Sequence, residues 1–182
     1  MKTHLDQLKA CIPPPSNARG RNVDWNRLES KVGITYPQDF KDFIKTYGGS
    51  MWFDRLAPFC STGETEERLD EYVQSLNRIC GRLRDLYYED EKPAVPNLYP
   101  TENGLFPFII GVDGYFCLWR TEGASDDWPI VMWSRAGDAF EIGQMSMTQM
   151  LLEWVQRKPG MMRNLGDVDE FRKEDPDADD LT

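Results

Sequence analysis

The side chains that could do chemistry gather in one stretch, GVDGYFCLWRTEGASDDWPIVMWS at residues 111–134, which carries Asp113, Glu122, Asp126 and Asp127. Two carboxyls can serve as general acid and general base when their surroundings hold the two pKa values apart. The pattern supplies no such difference. Asp113 stands before Gly114 and is already claimed by the geometry of a two-residue hairpin turn. Asp126 and Asp127 precede Trp128-Pro129 and read as a solvated loop. A divalent cation asks for more oxygen ligands in a fixed array than this loop offers. Other pairings fail for want of partners. His4 is the sole histidine, and Cys11, Cys60, Cys80 and Cys117 form no CxxC pair. A zinc site or a nucleophile–histidine pair would have to recruit His4 from the terminus. Cys80 and Cys117 sit in apolar patterns and read as small core side chains. Gly48-Gly49 follows a helical pattern instead of opening one, so it is a stop signal and not a phosphate loop. The expectation is no catalytic residue, no metal and no cofactor. A hydrolase built on the acids between 113 and 127 is the one enzymatic reading left.

Composition narrows the partners. The 182 residues suffice for one domain with a real core. Of the net charge of −10, residues 164–182 hold −6, with eight acids against two bases, which leaves −4 for the body. Phosphate contacts need Lys and Arg, so direct nucleic-acid binding is not expected. A basic protein surface is a suitable partner. The first residues, MKTHLDQLKACIPPPS, contain no continuous apolar run of the kind a secretory signal needs. No stretch reaches membrane-spanning length, and the cytosol is the expected compartment.

The elements that must position these residues follow from periodicity. Residues 2–11 suit a short helix ended by Pro13-Pro14-Pro15, with a polar linker after it. Asp24 caps a helix to Val32 that Gly33 stops. Pro37 opens the best-defined helix, with Phe40, Phe43, Ile44 and Tyr47 on one face and Gly48 as its left-handed stop. Residues 50–56 read as a strand. Ser61 and Glu64 have capping-box spacing for a long helix to Tyr88 that turns Leu69, Tyr72, Val73, Leu76, Ile79, Cys80, Leu83 and Tyr87 inward. A proline-rich connection covers residues 89–104.

Residues 106–120 read as a hairpin around Asp113-Gly114, pairing Val112 with Tyr115, Ile110 with Cys117 and Phe108 with Trp119. Both faces are apolar, so these strands should be covered on two sides. In this reading Pro107 is tolerable only at the strand's start. Strands at 130–133 and 139–142 follow, joined by a turn at Gly137-Asp138. Ser146 caps a last helix with Met147, Met150, Leu151, Trp154 and Val155 inward, and Pro159-Gly160 breaks it. The fold class is α+β, a mainly antiparallel central sheet packed with several helices in a single domain. The expected layout is an N-terminal helix and linker at 1–22, the domain at 23–158, and an acidic, mobile tail at 159–182.

The run VDWNRLESKVGITYPQDFKDFIKTYGG, residues 23–49, resembles the opening of the SMI1/KNR4 (SUKH) superfamily. That opening has a Trp on a short helix, Leu-Gly, then Pro-x-[Asp/Glu]-[Phe/Tyr]-Lys-x-[Phe/Leu] and a helix ending in Asn/Gly-Gly. The matching positions are Trp25, Leu28, Gly33, Pro37, Asp39, Phe40, Lys41, Phe43, Tyr47, Gly48 and Gly49. The second half is similar too, through Gly111-Val112-Asp113-Gly114, Cys117-Leu118-Trp119, Trp128-Pro129-Ile130-Val131 and Leu151-Leu152-Glu153-Trp154. The likeness runs from about 23 to 156. The long helix with its proline-rich sequel looks larger than the family's usual middle segment.

The resemblance implies an α+β domain that binds other proteins. Bacterial members are commonly immunity proteins that neutralise secreted polymorphic toxins, often nucleases, and fungal members regulate cell-wall synthesis as interaction hubs. It therefore implies a toxin domain as partner, with an intracellular regulatory or scaffold module as the alternative. A nuclease has a basic cleft, and an acidic binder gains on-rate and affinity from steering. The candidate contacts are Asp54, Glu122, Asp126, Asp127 and Trp128, with Trp128 either exposed beside the acids as an aromatic anchor or part of the core beneath a solvated loop.

Overall fold

The computed structural model describes residues 2–49, 51–52, 55–88, 97–111, 114–133 and 139–165. Among them it contains six helices and a five-stranded antiparallel sheet in the order β1-β2-β3-β4-β5. The strands are β1 (Leu56–Pro58), β2 (Leu105–Gly111), β3 (Phe116–Arg120), β4 (Ile130–Trp133) and β5 (Ala139–Gly143). This is a single α+β domain, as the hairpin signals require.

The helices start and stop where local chemistry tells them to. In α1 (His4–Cys11), Thr3 Oγ1 accepts from Asp6 N and Asp6 returns the bond to Thr3 N, a reciprocal cap. In α2 (Trp25–Val32), Asp24 Oδ1 accepts from Arg27 N at 3.1 Å. Helix α3 (Gln38–Tyr47) follows Pro37 and ends at Gly48, whose φ is +76°. A Cβ at Gly48 would lie 2.0 Å from the Arg19 carbonyl oxygen, so the close approach of the N-terminal segment excludes every other residue there. In α5 (Met147–Val155), Ser146 Oγ accepts from Gln149 N.

Both faces of the sheet are covered. One face presents Phe106, Phe108, Cys117, Trp119, Ile130 and Met132 to the main core, where α3 contributes Phe40, Phe43, Ile44 and Tyr47 and α5 contributes Met150, Leu151 and Trp154. Trp119 lies at the centre, stacked on Phe108 at 4.0 Å and edge-on to Phe40 at 5.1 Å. The other face presents Leu105, Phe116, Leu118, Val131 and Trp133 to Cys80, Leu83 and Leu98. Helix α4 (Glu66–Tyr88) therefore serves two cores. Its first half gives Leu69, Tyr72 and Leu76 to the main one, and its later turns give Cys80 and Leu83 to the smaller one. The side chain of Tyr87 lies outside the described residues.

Five details depart from the sequence reading, each for a local reason. First, the β2–β3 hairpin is closed by Gly111 N donating to Tyr115 O, and Gly114 takes φ +78°. A left-handed glycine closing such a hairpin shifts the pairing by one residue. Ile110 faces Phe116 and Ile109 faces Cys117. An irregularity between Pro107 and Ile109 then brings Phe106 opposite Trp119. Pro107 thus lies inside β2, at the irregularity and beyond the last β1 pair, Pro58 with Ile109. Second, β1 begins at Leu56 because the chain first folds back on itself, Trp52 and Leu56 exchanging backbone hydrogen bonds. Third, α4 starts at Glu66 and is capped by Thr65, whose Oγ1 accepts from Arg68 N, while Ser61 Oγ closes a turn on Gly63 N.

Fourth, Pro159 does not end the helical part of the chain but opens α6 (Pro159–Leu165), as its fixed φ suits a first helical turn. Fifth, the core reaches beyond residues 23–158 on both sides, since Leu8 of α1 and Met161 and Leu165 of α6 join the same cluster. Asp54, Asp113, Gly137, Asp138 and the acidic segment from 166 onward lie outside the described residues. Among the described residues no helix is long and apolar enough to cross a membrane.

Candidate functional site

Strands β3 and β4 are joined by residues 121–129, the loop that carries the acids. Its backbone is closed at several points. Arg120 N donates to Pro129 O at 3.1 Å, Glu122 N to Arg120 O at 2.8 Å, and Asp127 N to Ala124 O at 3.0 Å. Residues 125–127 form one 3-10 turn. Of the two placements the sequence leaves open for Trp128, the core is the one observed. Trp128 is 8% exposed, belongs to the main core, and donates its Nε1–H to Gly123 O at 3.2 Å. A buried indole satisfies its one donor this way, and here the bond also pins the loop above the ring.

The acids of this loop separate by role. Asp126 Oδ1 accepts from Gln38 N at 2.6 Å, so it caps the first turn of α3 across 88 residues of sequence. Glu122 and Asp127 are exposed and, among the described residues, have no side-chain partner. The next residue of α3, Asp39, points the other way. Its Oδ2 accepts from Thr148 N at 3.0 Å and from Thr148 Oγ1 at 3.3 Å, capping α5. Burial pushes the Asp39 carboxyl above its ordinary pKa, and the hydrogen bonds from Thr148 pull it back. Two adjacent positions at the start of α3 thus tie three distant parts of the chain together.

Beside the loop lies a groove of about 680 Å³. Three segments wall it: the end of α2 and its sequel (32–35), the turn at 99–104, and residues 121–125. Phe106 and Trp128 lie at its base, and Tyr99 packs edge-on against Phe106 at 5.3 Å. Thr121 stitches two of the walls together, its N and Oγ1 both donating to Gly104 O. Glu102 lines the groove and is exposed. Burial raises the Tyr99 phenol's pKa, so the ring stays neutral and keeps its O–H donor.

Sequence reasoning found Glu122, Asp126, Asp127 and Trp128, which the fold does bring together in one loop. It missed Tyr99, Glu102 and the end of α2. No signal in the sequence marks them, because the register that sets Gly104 beside Thr121 is fixed only in the folded sheet.

Among the described residues no group of three or more His, Cys, Asp or Glu could hold a metal ion. The thiols of Cys60 and Cys117 are pushed up to about 12, and that of Cys80 to about 11, by burial. A thiolate nucleophile is therefore scarce at neutral pH at all three. Tyr36 and Tyr72 share a buried O–H···O contact of 2.9 Å, and Tyr72 also donates to Phe59 O; both pKa values are well raised, first by burial.

Two of the quoted motifs reach the groove, the run 23–49 through residues 32–35 and Trp128-Pro129-Ile130-Val131 through Trp128. Trp25 and Lys41 meet with the ammonium 5.7 Å from the ring centroid, and Lys41 also pairs with Glu29 at 2.6 Å. Glu29 in turn accepts from Tyr36 N at 2.8 Å, fixing the link between α2 and α3. The sequence model of the SMI1/KNR4 family (SUKH-1) matches residues 21–152. The chain belongs to the SMI1/KNR4 family. No curated protein and no solved structure matches it. The whole groove lies within the SMI1/KNR4 segment, whereas α1 and α6 lie outside it. Membership of SUKH-1 is consistent with an immunity-protein-like domain.

Proposed function

We propose that this chain is a protein-binding module that acts as an immunity protein, neutralising a cognate polymorphic toxin in the cytosol by direct binding. It works by occluding the toxin and performs no chemistry of its own. The binding face is the 121–129 loop with the groove beside it. Glu122, Asp126 and Asp127 form the rim, Trp128 is the support beneath it, and Asp54 is a further contact.

One observation carries the reading. Glu102 lines an aromatic-based groove, Glu122 and Asp127 lie on the loop beside it, and none of the three has a cationic partner among the described residues. Such a face suits a basic protein surface, because steering by uncompensated charge raises the association rate. A toxin that acts on nucleic acid presents a cleft of that sign.

Co-expression with the toxin encoded in the adjoining reading frame tests the reading. The expected result is restored growth and a complex that survives purification. A toxin that stays lethal, with no complex formed, sinks the immunity role. Capture of a resident regulatory protein in the absence of any rescue would point instead to a scaffold module.

A further inference from the structure

We propose that the groove is an arginine subsite: it takes the guanidinium side chain of an extended segment of the partner protein, with Glu102 and Glu122 meeting its charge. The proposal rests on the protein-binding reading above and adds the chemistry of what enters.

Among the described residues, the lining of the groove includes no Lys, Arg or His, and Glu102 is its one carboxylate. Glu122 stands between two lining residues, Thr121 and Gly123. The described basic residues that directly precede two of the walls are committed elsewhere. Lys31 pairs with Glu66 and with Asp70 at 2.7 Å, and Arg120 pairs with Glu141 of β5 at 2.9 Å. The negative charge at the groove is therefore not cancelled from within the described residues. A second recess, of about 730 Å³, contrasts with it by mixing Arg21, Arg27, Lys41 and Lys45 with Asp24, Asp42 and Glu64. It has no single sign to offer a partner.

Size and surface also fit. At about 680 Å³ the groove lies within the range of sites that enclose small ligands. Its apolar share comes from Val32, Ile34, Tyr99, Pro100 and Trp128. Arginine suits such a mixture better than lysine. Its planar head is weakly hydrated, stacks on aromatic rings and engages carboxylates through two parallel hydrogen bonds. The methylene stem covers apolar wall while the head reaches the rim.

The test uses the whole chain and a defined probe. Amide and indole resonances are followed by NMR during titration with N-acetyl-arginine amide, its lysine counterpart and the neutral citrulline isostere. Arginine amide is expected to shift the Trp128 indole N–H and the amides of Gly104, Thr121 and Gly123, with lysine amide weaker and citrulline amide inert. The double variant Glu102→Gln, Glu122→Gln should weaken the arginine effect about tenfold or more while resonances elsewhere stay in place. No groove shift with arginine amide, or equal shifts with citrulline amide, overturns the subsite. Toxin rescue separates this proposal from the one it rests on. Rescue undiminished in the double variant overturns the groove's role and leaves the immunity reading standing. Arginine amide binding without rescue by the unaltered chain overturns the immunity reading and keeps the subsite.

Discussion

Glu66 and Glu122 are both exposed glutamates, and the fold treats them in opposite ways. Glu66, at the start of α4, is held by Arg27 of α2 at 3.0 Å and by Lys31, which also reaches Asp70. Hydrogen bonds from Lys31, and next from Arg27, lower its pKa, and bonds to Asp70 and Glu66 raise that of Lys31. The α2–α4 face thus cancels its own charge while joining two helices. Glu122 sits on a loop closed by backbone hydrogen bonds, yet no cation of the described residues approaches it. Net charge of the chain says nothing about this difference. What separates a structural acid from one left for a partner is whether the fold delivers a cation to it.

That contrast can be broken or sharpened by substitution. The largest effect belongs to the support beneath the groove. Trp128→Ala should destabilise the fold by about 3–5 kcal/mol in chemical denaturation, as removal of a buried indole does. A variant of near wild-type stability would show that the loop is not anchored in the core. Next comes the buried cap of α5. Asp39→Ala should cost about 1–2 kcal/mol, and Asp39→Asn less, since the amide oxygen can still accept from Thr148 N. Asp39 adds a pH signature. Its folded pKa is raised, so the native state binds the proton more tightly than the unfolded chain does. Stability from this group is therefore greatest at low pH, falls as pH rises from the ordinary carboxylate value through the folded one, and is level above that. Asp39→Asn should remove that slope from the stability-against-pH curve.

Asp126→Ala probes an acid of the rim that already has a structural duty. Loss of the cap on Gln38 N should cost about 1 kcal/mol, measured by denaturation. An Asp126 variant as stable as the parent would return this residue to the side of the unpaired acids. The smallest effects fall on the pair that opened the comparison. Glu66→Gln should lower the melting temperature slightly at low salt and not at high salt, leaving partner binding unchanged. Glu122→Gln should do the reverse, with stability unaltered and binding weaker and less salt-dependent.

The sequence made the helices legible because their instructions are local. Asp24, Gly33, Pro37, Gly48 and Ser146 act within a few residues, and each stands at its expected boundary. The antiparallel pairing of the central strands was legible from alternation and the Asp-Gly turn signal. Their register was not, since it depends on the closure of Gly111 on Tyr115 and on an irregularity near Pro107. The start of α4 went to Thr65 instead of Ser61 for a similar reason: several residues could cap, and the surrounding fold chose. The site was half legible. A cluster such as Asp126-Asp127-Trp128 can be seen in one dimension, but the burial of Trp128 and the reach of Asp126 to Gln38 span the sheet. Glu102 was invisible because nothing near it in sequence marks it out.

One helix belongs to two cores, and this has a meaning for how the molecule opens. Exchange of backbone amides with solvent follows the cheapest opening that frees each one. Residues 69–76 of α4 are released only when the main cluster parts. Residues 80–83 need only the eight buried side chains of the smaller cluster to separate. A single uninterrupted helix should thus show two levels of protection along its length, the lower one beginning past Leu76, with the boundary marking where the two faces of the sheet can come apart independently.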